Sequence, residues 1–141
     1  MDLADKIYEV IKSYRMGALA TVDPEGRPHV RFVMLDVGRD LTIRFVTALS
    51  SRKVRQIDRN PEVHIACGAS LVDSMAPYVQ VEGRAQVSRE GEVLREMWTD
   101  ALKNYFTGPD DPEYCVVTVM PYRVEYYSTT ITPEVWVAAN G

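Results

Sequence analysis

The stretch RFVMLDVGRDLTIRFVTALSSRKVRQIDRNPEV, residues 31–63, holds two strand patterns, a turn and a short helix pattern. In HVRFVML (29–35), Val30, Phe32 and Met34 fall on one face of a strand, and Arg31, Val33 and Leu35 on the other. DVGRD (36–40) has turn composition. LTIRFVT (41–47) then places Leu41, Ile43 and Phe45 on one face of a second strand. A helix is expected at 51–59, with Ser51 as cap, Val54 and Ile57 as its apolar stripe and Asn60-Pro61 as its stop. Its first turn carries Arg52 and Lys53. That is the positive end of the helix dipole, where a cation gives up about 0.3–1 kcal/mol relative to an acid.

Outward from this stretch the strand patterns continue. ALATV (18–22) precedes the turn Asp23-Pro24-Glu25-Gly26. With 29–35 and 41–47 it reads as a three-stranded antiparallel meander joined by short loops. Residues 2–15 form an amphipathic helix on Leu3, Ile7, Val10, Ile11 and Tyr14, with Gly17 as its stop. VHIACGA (63–69) is a strand, 70–77 is irregular, and YVQVEGRAQVS (78–88) is a long strand with Gly83 at a bulge. A helix capped by Ser88 is expected to reach about residue 106 on a stripe from Val93 to Phe106 that includes Trp98. CVVTVMPYRVEYY (115–127) is the last strong strand, bent at Pro121, and residues 128–141 show no clear pattern. About six strands cluster instead of alternating with the three helices. The expected architecture is one α+β domain over 1–141, an antiparallel barrel with flanking helices.

Composition narrows the function. The chain has 141 residues, 46% hydrophobic and 26% charged, as in ordinary globular proteins. No run of 18 apolar residues suggests a membrane span. MDLADKIYEV lacks the apolar core of a signal peptide, so a cytoplasmic location is expected. Cys67 and Cys115 lie far apart in apolar runs and read as buried thiols. His29 and His64 match no metal-ligand spacing, so no metal site is expected. The net charge of −4 and the lack of an aromatic platform argue against nucleic acid. Neither a Walker A nor a GxGxxG pattern occurs, and no Ser-His-Asp, Cys-His or paired-carboxylate set names a catalytic residue.

What stands out is local positive charge. Segment 52–59 sets Arg52, Lys53, Arg55 and Arg59 against Asp58. If strands 29–35 and 41–47 are neighbours, Arg31 converges on Thr47, Ser50, Ser51, Arg52 and Lys53. Such a cluster suits a phosphomonoester, which offers three acceptor oxygens and about −1.5 to −2 charges. Arg grips it through a planar fork and Lys adds a point charge.

RFVMLD (31–36), FVT (45–47) and SSRKVRQIDRNPEV (50–63) resemble the flavin-binding motifs of the pyridoxamine 5′-phosphate oxidase-like split-barrel family. The likeness is closer to its small general stress protein 26-like members. It implies a split-barrel homodimer with FMN at the interface, acting as an oxidoreductase on a small molecule. Arg31, Arg52 and Lys53 would hold the phosphate, with Ser50 and Ser51 beside them. Val33, Met34 and Leu35 would lie along the isoalloxazine, with Val46 and Thr47 also against the flavin. Tyr78 or Gln80 would come from the other subunit. The first-motif Lys of true pyridoxamine 5′-phosphate oxidases falls on Asp36, and PYRVEYY (121–127) is a poor match to their last motif, which argues against vitamin B6 oxidation. The alternatives are a flavin-binding stress protein without turnover, or a split barrel that binds the deazaflavin F420 or heme.

Overall fold

The structure, a computed structural model, describes residues 1–70 and 72–139. The chain runs α1 (Leu3–Tyr14), β1 (Met16–Val22), β2 (Pro28–Met34), β3 (Asp36–Val37), β4 (Ile43–Ala48), α2 (Arg52–Arg59), β5 (Glu62–Gly68), β6 (Tyr78–Ser88), α3 (Gly91–Met97), a 3₁₀ turn (Asp100–Asn104), β7 (Tyr114–Tyr127) and β8 (Glu134–Val137). All eight strands join one antiparallel sheet in the order β2-β1-β5-β6-β7-β4-β3, with β8 on the free side of β7. The sheet curls around a core that includes Leu19, Ile43, Phe45, Ile65, Val79, Val81, Val117 and Val119. Helix α1 closes one side with Ile7, Val10 and Ile11, and α2 adds Ile57. This is the antiparallel split β-barrel with flanking helices expected from the sequence, with eight strands in place of about six.

The expected meander is only half present. β1 pairs with β2, but β4 pairs with β7 along its whole length, at the far end of the sheet path from β2. The backbone at 35–42 explains the difference. Leu35 leaves the β2 ladder and donates its N–H to Arg15 O. Leu41 adopts φ 70°, and Gly38 N–H bonds Thr42 O, so Asp36–Val37 folds onto β4 as a hairpin of its own. The curl of the sheet then brings β2 back against β4 without a hydrogen-bonded ladder.

Four further expectations are corrected. Arg15, at φ 61°, caps α1 by donating to Ile11 O, whereas Gly17 sits inside β1. A Cβ on Gly17 would stand 2.6 Å from Leu35 Cδ1, so that glycine serves packing and is no stop signal. The helix expected from Ser88 to 106 is shorter: Ser88 ends β6, α3 covers Gly91–Met97, and Trp98 is extended. Trp98 leaves the helical conformation at φ −69°, ψ 132° and its N–H turns to Arg95 O, while the buried Tyr114 hydroxyl donates to Leu94 O at 2.6 Å. The tail also has structure, for β8 pairs with β7 and Trp136 packs on the core. The register shifts between Glu82 and Gly83, but the extra residue is Tyr122: Glu82 faces Arg123 and Gly83 faces Pro121, so the bulge lies in β7 beside Pro121, opposite Gly83, and not in β6 as expected.

Candidate functional site

Where β2 curls back toward α2, a cavity of about 270 Å³ is lined by His29, Val30, Arg31, Arg52 and Lys53. The three cations expected to converge therefore do so, although β2 and β4 are not paired. Curvature of the sheet brings them together.

Arg31 lies on the inward-turning side of β2 and is half-buried. Its Nη1 donates to Thr21 Oγ1 at 2.7 Å and to the carbonyls of Leu19 and His29 at 3.2 Å, and Nη2 donates to Gln56 Oε1 at 3.3 Å. Lys53 Nζ donates to Thr47 Oγ1 at 2.8 Å. Among the described residues, neither of these cations nor Arg52 pairs with a carboxylate. Burial, then the nearby charge of Arg52, lowers the Arg31 pKa; burial, then Arg31, lowers that of Lys53. The site thus concentrates positive charge that the protein does not neutralise.

Ser51 is the N-cap of α2, yet its side chain makes no capping bond. Its Oγ is buried and has no hydrogen-bond partner. A buried hydroxyl left unpaired costs about 1–3 kcal/mol, so Ser51, next to Arg52 at the start of α2, is retained at a cost to the helix, and it is not among the residues that line the cavity. Ser50 behaves differently: its N–H and Oγ both donate to the Glu113 carboxylate, at 3.2 and 2.5 Å. Ser50 therefore anchors the β4–α2 corner to the loop before β7 and does not face the cavity.

The remaining expected residues divide into two groups. Val33 and Leu35 are buried in the core, whereas Met34 is half exposed. Val46 packs on the second apolar cluster with Tyr114 and Val116, and Thr47 is buried and already engaged by Lys53. Tyr78 and Gln80 lie on β6, two strands beyond β1. Tyr78 stacks on Tyr127 with ring centroids 4.8 Å apart. Register places Phe32, Ala18, Ala66 and Gln80 in one row across β2, β1, β5 and β6, so both β6 residues share the outer sheet face and not the cavity of their own chain.

Two residues of the site escape the sequence reading. Gln56 and Thr21 are buried and bonded to each other and to Arg31. The available signal was spacing, since Gln56 follows Lys53 by three and Arg52 by four positions and so shares their helix face. His29 lines the cavity while its Nε2 lies 3.0 Å from Asp23 Oδ2. That contact, then the Arg27 N–H, holds the Asp23 carboxyl below its usual range. Burial pushes the thiols of Cys67 and Cys115 up to about 11, so neither is a ready nucleophile. Among the described residues, no cluster of three or more His, Cys, Asp or Glu side chains could hold a metal, and no helix is long and apolar enough to cross a membrane.

Comparison with known proteins bears on the family and the fold. Residues 3–128 match the family described as Pyridoxamine 5′-phosphate oxidase. General stress protein 26 of Bacillus subtilis is 32% identical over 120 residues, covering 85% of this chain and 84% of that protein. The crystal structure of general stress protein 26 from Bacillus anthracis superposes with a TM-score of 0.83 at 28% identity, over 98% of this chain and 100% of that one. Two more distant structures share the fold. One is a pyridoxamine 5′-phosphate oxidase-related, FMN binding protein from Nostoc punctiforme, with a TM-score of 0.68 and 19% identity over 95% of this chain and 85% of that one. The other is a heme binding protein from Mycobacterium smegmatis, with a TM-score of 0.80 and 20% identity, matched over 97% of this chain and 58% of that one.

Proposed function

This chain belongs to the pyridoxamine 5′-phosphate oxidase family, and on that premise we propose that it is an FMN-binding protein, a homodimeric oxidoreductase acting on a small molecule. The observation that carries the reading is the convergence of Arg31, Arg52 and Lys53 on one cavity, three cations that no carboxylate neutralises among the described residues. A terminal phosphate would take the charge of Arg31, Arg52 and Lys53 and accept from the first N–H groups of α2, and its binding would turn the neighbouring Ser51 hydroxyl toward it. Lys53, already fixed on Thr47, needs little reordering to serve it. Strand residues 33–35 and 46–47 would flank the ring system, and Tyr78 or Gln80 would reach it from the partner.

Bound there, FMN supplies hydride or single-electron transfer. The protein's share is to bind, orient and shield it. Among the described residues, no side chain that lines the cavity is arranged as a nucleophile or a general acid–base pair apart from His29, which Asp23 holds. Asp36 is exposed and lies 3.6 Å from Arg44, a carboxylate where the oxidase motif has Lys, so vitamin B6 oxidation is not part of the proposal. Two unpaired buried thiols suit a cytoplasmic setting.

The fold is shared with a heme binding protein, so heme is the second reading. It is the weaker one here, because His29 Nε2 is engaged by Asp23 and His64 is exposed on β5. The absorption spectrum of the protein as isolated tests both readings, and F420 with them. Flavin bands that FMN restores after stripping are expected; a Soret band or a deazaflavin band overturns the FMN reading. Reduction of the bound flavin by NAD(P)H separates an oxidoreductase from a flavin-binding protein without turnover.

A further inference from the structure

Among the described residues, Arg31 is the one site cation held by two side chains, Thr21 and Gln56, besides two backbone carbonyls, and all of these acceptors are neutral. Thr21 and Gln56 stand out among them. Both are buried, at 0% and 5% exposure, and polar side chains buried to that degree are there to bond something. Thr21 Oγ1 donates to Gln56 Oε1 at 2.5 Å and accepts from Arg31 Nη1 at 2.7 Å, while the same Gln56 oxygen accepts from Arg31 Nη2 at 3.3 Å. The three groups close a ring. The ring also fixes the Gln56 amide, since the reverse orientation would set its NH₂ against the guanidinium.

The ring takes up the end of the guanidinium fork. Nε–H and the second Nη2–H have no acceptor among the described residues, and they form the edge that binds a phosphate oxygen pair. The elements matter as well. Thr21 is on β1, Arg31 on β2 and Gln56 on α2, so one network ties the strand that carries Arg31 to the helix that carries Arg52 and Lys53. A carboxylate at position 56 would hold Arg31 equally well but would neutralise it.

We propose that Thr21 and Gln56 are positioning residues of the anion site, a neutral platform that aims Arg31 at the phosphate while leaving its charge available. The inference rests on the FMN reading and extends it to two residues that do not touch the ligand.

The test is fluorescence titration of FMN and riboflavin into the full-length protein, wild type and variants, after thermal unfolding confirms that each variant folds. Thr21→Val removes the hydroxyl at nearly constant shape, and Gln56→Glu replaces the amide by a charge. Each is expected to weaken FMN about ten- to a hundredfold and riboflavin less than about twofold. Thr21→Ser keeps the hydroxyl and rescues the wild-type preference. In an Arg31→Ala background Thr21→Val is expected to add nothing, because it acts through Arg31. Should Gln56→Glu not fold, Thr21→Val decides alone. Equal loss of both ligands, full additivity with Arg31→Ala, or wild-type preference in Thr21→Val overturns the positioning role. A wild type with no preference for FMN overturns the phosphate reading, and the positioning role with it.

Discussion

At the residue scale, Ser51 and Lys53 report most directly on the site. An N-cap serine normally stabilises its helix by about 0.5–2 kcal/mol over alanine. Ser51 makes no cap bond, and its hydroxyl is buried without a partner. Ser51→Ala is therefore expected to stabilise the ligand-free protein by about 1–3 kcal/mol in urea unfolding, because it removes an unpaired buried hydroxyl, while FMN affinity falls about tenfold. A large loss of ligand-free stability would show that the hydroxyl is a structural cap. Lys53→Ala is expected to weaken FMN about ten- to a hundredfold and riboflavin little, as titration of both ligands would show. The sequence showed Arg52 and Lys53 as cations at the wrong helix end, and that oddity was the signal. It could not show that Ser50 turns away to Glu113, because that bond spans 63 positions. Nor could it show that Gln56 is buried beside Arg31, since only the curl of the sheet closes that gap.

At the element scale, local pattern was legible and long-range pairing was not. Alternation in 29–35 and helical spacing in α1 and α2 gave those elements nearly to the residue. Strand order failed where one left-handed residue decides it. Leu41 at φ 70° sends β4 to β7, and nothing in a leucine announces a positive φ. The end of α3 was hidden likewise, because the apolar stripe runs on to Phe106 while its last residues pack on a tyrosine of a distant strand. Gly83 was legible because a glycine inside a long strand marks a bulge or close approach. A Cβ there would lie 2.8 Å from Val119 Cγ1 and 2.9 Å from Met120 O. Gly83→Ala is accordingly expected to cost about 1–3 kcal/mol in chemical unfolding, with FMN selectivity unchanged in the folded fraction. A neutral result would show that β7 yields at Pro121.

At the scale of the whole molecule, the outer sheet face is the unfinished surface. Phe32 is 74% exposed, Val30 66% and Met34 51%, and their partners on β1 are Ala18, Ala20 and Met16. A contiguous apolar face of this kind marks an interaction surface. It carries Tyr78 and Gln80 as well, so pairing it with a second copy is how those residues would reach a flavin. Phe32→Glu is expected to convert a dimer into a monomer in sedimentation and to weaken FMN together with dimerisation, because a charge buried without a partner is strongly disfavoured there. A dimer that persists with full affinity would place the interface elsewhere. Binding should also raise the melting temperature with FMN concentration, by mass action on the folded state. The central claim is that the cluster of Arg31, Ser51, Arg52 and Lys53 is built for the phosphate of FMN. The most direct measurement is the ratio of FMN to riboflavin affinity in the wild-type protein. The account predicts FMN tighter by about a hundredfold or more, a difference of about 2.7 kcal/mol; equal affinities, or no binding of either, would contradict it.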